Sequence, residues 1–176
     1  MALFKLAKVA TAVFPIILAS LCFAQSGSSS VSSSDQKFVK EAASGGMAEV
    51  ELGQLAQQNG SSDAVKQFGQ RMVTDHGQAN DKLKSVVSQK GIQLPTKLNA
   101  KDEAIKMRLS KLSGKQFDDA YIKDMITDHQ EDVAAFKKES SSGGDSDIKQ
   151  FASDTLPTLR DHLKQIQGIS VKHASQ

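Results

Sequence analysis

Between residues 35 and 168, apolar positions recur with the ~3.6-residue period that gathers side chains on one face of a helix. Phe38, Ala42, Gly45, Leu52 and Ala56 form the first stripe and predict a helix over 35–58, stopped by Asn59-Gly60. Ser61 and Ser62 can cap the amides of a second helix, whose stripe is Val65, Phe68, Met72, Ala79, Leu83 and Val86, and which Gly91 ends. A third long helix opens after Gly114 on Ile122, Met125, Val133 and Phe136, and the run 140–144 breaks it. The fourth starts near Asp145 and carries Ile148, Ala152, Leu159, Leu163 and Ile166, with Pro157 predicting a kink or a break inside it. The tail after Gly168 reads as frayed.

The connections decide the topology. Those after the first and third long helices are tight and make antiparallel hairpins. The middle one, 91–114, combines extended chain around Pro95 with a short helix over about 101–112. At ~3.3 Å per extended residue and ~1.5 Å per helical one, it can cross a ~40 Å bundle, so the second and third long helices can run parallel. The pattern therefore predicts an all-α, ferritin-like four-helix bundle with one long crossover containing a short helix. An internal echo fits two related hairpins. The spacing from Phe38 to Glu49 equals that from Phe117 to Asp128, and VKQF (65–68) matches IKQF (148–151).

The start of the chain changes the picture from a bundle to an exported bundle. Lys5 and Lys8 precede an apolar run over 9–24 that is too short for a stable membrane span and suits a secretory signal peptide. Cleavage after Ala24 is expected, giving a signal peptide over 1–24, a Ser/Gly-rich tether over 25–34, the bundle over 35–168 and a flexible tail over 169–176. The alternative is a lipoprotein form at Cys22, which the bulky Leu21 disfavours. A periplasmic or outer-membrane-associated location follows, with no transmembrane span in the mature chain.

Cleavage also removes the single cysteine, and with it any thiolate ligand, disulfide or cysteine nucleophile. The loss of Lys5 and Lys8 takes the formal charge from +2 to 0. Acids and bases are interspersed, Trp is absent and there is one Tyr, so nucleic acid is not an expected partner.

Chemistry enters through polar residues on apolar stripes. MVTDH (72–76) and MITDH (125–129) are nearly identical, and Asp161-His162 repeats the Asp-His pair. His76, His129, His162 and Glu49 each fall on the seam of a different helix, where an unpaired charge is costly. With Asp128 they form a candidate metal site. Neutral imidazole and carboxylate suit zinc, iron, manganese or copper. Asp75 and Asp161 point away from their own histidines and are candidate acceptors for rings on neighbouring helices. The competing reading is a polar layer bonded across helices with no ion. Axial bookkeeping counts against one compact site: Glu49 and His76 differ by ~6 Å, and His162 and Asp128 by roughly 10 Å. No helix carries the Glu-x-x-His of a di-iron bundle. The acidic pairs Glu49/Glu51 and Asp118/Asp119 otherwise read as solvated faces, Met47, Met72, Met107 and Met125 as core filler, Ser44-Gly45-Gly46 as a close-packing stretch facing His76, and His173 as solvated. The serines lie near no obvious base, which argues against a hydrolase.

The segment order FVKEAASGGMAEVELGQLA, VKQFGQRMVTDH with AN following, LSGKQFDDAYIKDMITDH, then a late LP and DHL resembles the domain-of-unknown-function 4142 family over about 35–168. These are exported bacterial proteins, often described as outer-membrane proteins and similar to ferritin-like bundles. The resemblance implies that architecture and an envelope location, and it transfers no activity or catalytic residue. An outer-membrane barrel is not implied, since nothing reads as alternating strands. Two functions compete. One is a metal-binding or redox bundle of the envelope, taking a divalent ion such as zinc, iron or manganese. The other, favoured by the axial offsets, is a non-enzymatic stress or interaction protein with an envelope protein partner.

Overall fold

The computed structural model describes residues 31–174. The expected signal peptide, its cleavage site and most of the tether lie outside them. Five helices follow in order: α1 (Ser33–Asn59), α2 (Asp63–Val87), α3 (Ala100–Leu109), α4 (Gly114–Ser142) and α5 (Ser146–Ala174). The four long ones form the bundle and α3 is the short helix of the crossover. No described helix is long and apolar enough to cross a membrane.

Every start but that of α4 is fixed by a side chain that takes an amide the helix cannot use. Ser32 Oγ accepts from the Asp35 amide, Ser62 Oγ from Val65 and Asn99 Oδ1 from Asp102, while Asp145 Oδ1 accepts from Ile148. The hairpin α1–α2 and the hairpin α4–α5 pack side by side, with α1 against α4 and α2 against α5. Gly60 pairs with Gly114 in a short parallel bridge, so α1 ends where α2 and α4 begin. Helices α2 and α4 therefore run parallel, as a single long crossover requires. At that end, Gly114 takes the positive φ of 61° that admits it to the turn.

Two carboxylates lock the hairpins to each other. Asp118, on α4, accepts from the Ser61 and Ser62 amides and the Ser61 hydroxyl at 3.0, 2.9 and 2.6 Å. At the opposite end Asp35, on α1, accepts from the Gly144 and Asp145 amides at 3.2 and 2.8 Å. The expectation of a solvated Asp118 is thus corrected: it is fully buried and holds the α1–α2 turn. Midway, α1 and α2 come into backbone contact. A Cβ on Gly53 would lie 2.5 Å from the Gly69 carbonyl oxygen, and one on Gly69 2.6 Å from that of Gly53. The close packing expected at 44–46 is met at Gly46, where a Cβ would lie 2.2 Å from the Asn80 side chain of α2, and not at Gly45. Gly45 has open space around it, and Ser44 faces the crossover, bonded to Asn99 and Asp102.

Three further expectations are revised. α5 is not broken at Pro157. The proline and Ser153, whose carbonyl loses its donor, are exposed, and Thr155 Oγ1 donates to the neighbouring Phe151 carbonyl at 2.8 Å. α5 also continues past Gly168 to Ala174, because Ile169 packs on the core and His173 Nε2 lies 2.7 Å from Asp119 Oδ1. Met107 is half exposed and fills no core.

The core is divided in two. One apolar cluster gathers Phe38, Leu83, Phe136, Phe151 and Leu159, the other Leu52, Phe68, Met72, Tyr121, Met125 and Ile166. On every long helix a buried ionisable residue sits between the two: Glu49 on α1, His76 on α2, His129 on α4 and His162 on α5.

Candidate metal centre

That layer brings three imidazoles together. His76, His129 and His162 each offer a ring nitrogen, and these lie within 4.8 Å of one another. The ring centroids are 5.8 Å apart for His76–His129 and 5.4 Å for each of the other two pairs. The axial offset expected for His162 is absent. It was counted from approximate turn positions, and the close pairing of α2 with α5 sets the true height. Phe68 lies beneath, its ring 5.9 Å from that of His129 and 6.3 Å from that of His162.

Hydrogen bonding decides which nitrogens are free. His129 Nδ1 is 2.9 Å from the Met125 carbonyl, which can only accept, so Nδ1 carries the proton and Nε2 the lone pair. His162 Nε2 is 2.7 Å from Asp75 Oδ2, so this ring donates through Nε2 and keeps its lone pair on Nδ1. Asp75 also accepts from Arg71 Nε at 3.1 Å, and Arg71 is in turn tied to Gln165. What remains is His76 Nε2, His129 Nε2 and His162 Nδ1, all buried and without a hydrogen-bond partner among the described residues. Burial pushes the His76 ring well below the usual histidine range, with the charge of the other two rings adding to it. Burial, then His162, lowers His129 to about 4. Burial lowers His162 too, against the pull of Asp75. All three are neutral near pH 7, the form that ligates a metal.

A second donor set shares His129. Glu49, Asp128 and His129 each bring a ligand atom within 4.8 Å of the others. Glu49 is fully buried, and neither of its oxygens has a hydrogen-bond partner among the described residues. Burial, followed by the charge of Asp128, raises the Glu49 carboxyl far above the usual range. Burial and the Glu49 charge likewise hold the Tyr121 phenol protonated, with its hydroxyl unpartnered. Asp128 opens onto a cleft of about 300 Å³, lined also by Asp102, Glu131, Asp132 and Lys101. Asp132 keeps an edge in solvent, yet burial and Asp128 push its carboxyl well up. Asp102 is raised by burial and Asp128, partly offset by its bonds to Ser44 and Asn99.

The sequence-derived candidates thus divide. His76, His129, His162, Glu49 and Asp128 meet in the central layer, and Asp75 supports His162 from α2. Asp161 is exposed, beside Lys164 and Lys172 on the outer face, and reaches no ring bond. Asp102 and Asp132 were missed. Their only sequence signal is proximity, Asp132 lying one turn beyond Asp128 on α4.

These features define a ferritin-like four-helix bundle with a buried histidine and carboxylate layer. The chain belongs to the DUF4142 family, a domain of unknown function, which it matches over residues 20–169. No curated protein sequence matches it. Two solved structures share the fold. One is a DUF305 fragment from Deinococcus radiodurans, 14% identical with a TM-score of 0.69, covering 79% of this chain and 96% of its own. The other is a predicted secreted DUF305 protein from Streptomyces coelicolor, 12% identical with a TM-score of 0.69, covering 80% and 92%.

Proposed function

We propose that this chain is a metal-binding bundle of the bacterial envelope, holding one divalent transition ion between His76, His129 and His162. The observation that carries this reading is the meeting of three histidines, each offering a ring nitrogen within 4.8 Å of the others and each with a buried nitrogen that has no hydrogen-bond partner among the described residues. A polar layer built for structure alone would pair them, since an unsatisfied buried acceptor costs about 1–3 kcal/mol. Nitrogen donors without thiolate suit zinc, copper or iron. Asp75 and the Met125 carbonyl do what outer partners of metal-bound histidines do: they fix the tautomer and orient the ring. The basic start and apolar run before Gln25 support export, as does the predicted secretion of one similar bundle.

The test is metal analysis of the purified chain, joined to melting curves with and without chelator. An ion that binds only the folded state adds about 2.7 kcal/mol at ~100 times its Kd, or about 5–10 °C for a domain of this size. Zinc should raise Tm by that order, and His76→Ala or His162→Ala should abolish the rise. Melting that ignores both chelator and zinc would leave only the polar layer.

A further inference from the structure

We propose that Glu49 and Asp128 form a second cation site, on the Nδ1 side of His129, for a divalent ion that prefers oxygen donors. It uses atoms the histidine site leaves unused.

The geometry begins with Glu49. Both of its oxygens are buried without a hydrogen-bond partner among the described residues; one lies within 4.8 Å of an Asp128 oxygen, and Oε1 is 3.6 Å from His129 Nδ1. The His129 Nδ1 proton is given to the Met125 carbonyl at 2.9 Å. Asp128 is a carboxylate and has nothing to donate when ionised. Two acceptors in contact require something positive between them, either a proton or a metal ion.

The surroundings favour the metal ion. Asp102 and Asp132 add their charge to the same cluster. The cation acting on them is Lys101, and its ammonium is tied to Glu131 at 2.7 Å. Without a cation the crowding of these four carboxylates is relieved only by protons, whereas one divalent ion between Glu49 and Asp128 would neutralise both. Asp128 also lines the 300 Å³ cleft, which gives an ion a route from solvent whose charged lining is acidic apart from Lys101. Carboxylate oxygens suit manganese or magnesium more than the softer ions that imidazoles select. The layer would thus sort two ions by donor type on the two sides of the His129 ring, whose Nδ1 proton stays on the Met125 carbonyl.

The probe is manganese(II), followed by the loss of its free-ion paramagnetic resonance signal. The full chain is first given about one equivalent of zinc to fill the nitrogen donors. About one manganese per chain should then bind, and Glu49→Gln and Asp128→Asn should each weaken it about tenfold or more while keeping the zinc. Both substitutions preserve shape, and circular dichroism confirms folding before each titration. Failure of the wild-type chain to bind manganese means that the carboxylates share a proton, and overturns the proposal. So does manganese binding that neither substitution alters. Either result leaves the histidine site standing. Failure to retain zinc, with manganese still bound, sinks the histidine site and leaves this one.

Discussion

Asp118 and Glu49 are both fully buried acids on long helices of the same bundle, and they behave in opposite ways. Asp118 sits at the end of the bundle, where the α1–α2 turn presents two free amides and a hydroxyl. Burial alone would raise its carboxyl, but these donors outweigh burial and hold it below the usual range. Glu49 sits at mid-height, where neighbouring helices use every backbone amide internally. No backbone amide is left to donate to it, and burial with the Asp128 charge raises its carboxyl. Depth does not separate a structural acid from one that awaits a ligand. The supply of donors does, and helix ends have donors where helix middles have none.

The comparison can be broken first at the apolar wall beside the layer. Phe68→Ala should destabilise the chain by about 3–5 kcal/mol, measured by urea unfolding, because Phe68 fills the core under two histidine rings. A loss below ~1 kcal/mol would mean that the lower core is not packed as described. Asp118→Ala should cost about 2–4 kcal/mol, since it strands buried donors at the turn. Asp75→Asn should leave stability nearly intact but weaken zinc binding about 10–100-fold, as removal of a ring-orienting partner does. Unchanged zinc affinity would show that the 2.7 Å bond to His162 does not serve the metal.

Acid should separate the two regions by pH. The folded histidines titrate below the ordinary 6.5, so the unfolded chain takes up protons first. In chelator, their share of stability is complete above pH 6.5 and is lost as pH falls toward the His129 value of about 4. The Asp118 clamp is lost only below its unfolded value of 3.8. His162→Gln should flatten the upper window and Asp118→Ala the lower, in unfolding curves taken across the range. The smallest effect is the most telling. Glu49→Gln without metal should lie within ~1 kcal/mol of wild type or above it, because it replaces a buried carboxyl that no donor serves with a neutral amide of the same shape. It also removes a slope of opposite sign, as a raised carboxyl favours the folded state less when pH climbs past 4.5. A loss as large as that of Asp118→Ala would make the two acids alike and sink the contrast.

Much of this was legible in the sequence, and the failures have a common cause. The four stripes, the crossover and the hairpins follow from periodicity, and His76, His129, His162 and Glu49 stand out as polar residues where the stripe demands apolar ones. The axial error for His162 arose because a residue's height depends on where each turn sits. That depends in turn on contacts such as Asp35 with the α4–α5 turn, which no local pattern contains. Asp118 read as solvated because an acid one residue from a core phenylalanine looks like an ordinary flank. Its partners, Ser61 and Ser62, are distant in the chain. Pro157 read as a kink or a break, and the break is absent because Ser153, whose exposure the pattern does not show, can give its carbonyl to solvent.

The division of the ligands between hairpins has a consequence for how the molecule assembles. His76 belongs to α1–α2, and His129 and His162 to α4–α5. Each hairpin is a local unit closed by a short turn, the kind of contact that forms early, whereas joining them means closing the long crossover loop. The proposed ion's seat is therefore complete only after that last step, since α4–α5 alone gathers two of its nitrogens and α1–α2 one. A metal captured there acts as a rivet across the latest-formed seam. It would slow the parting of the halves far more than it hastens their meeting, so its signature belongs in the unfolding rate.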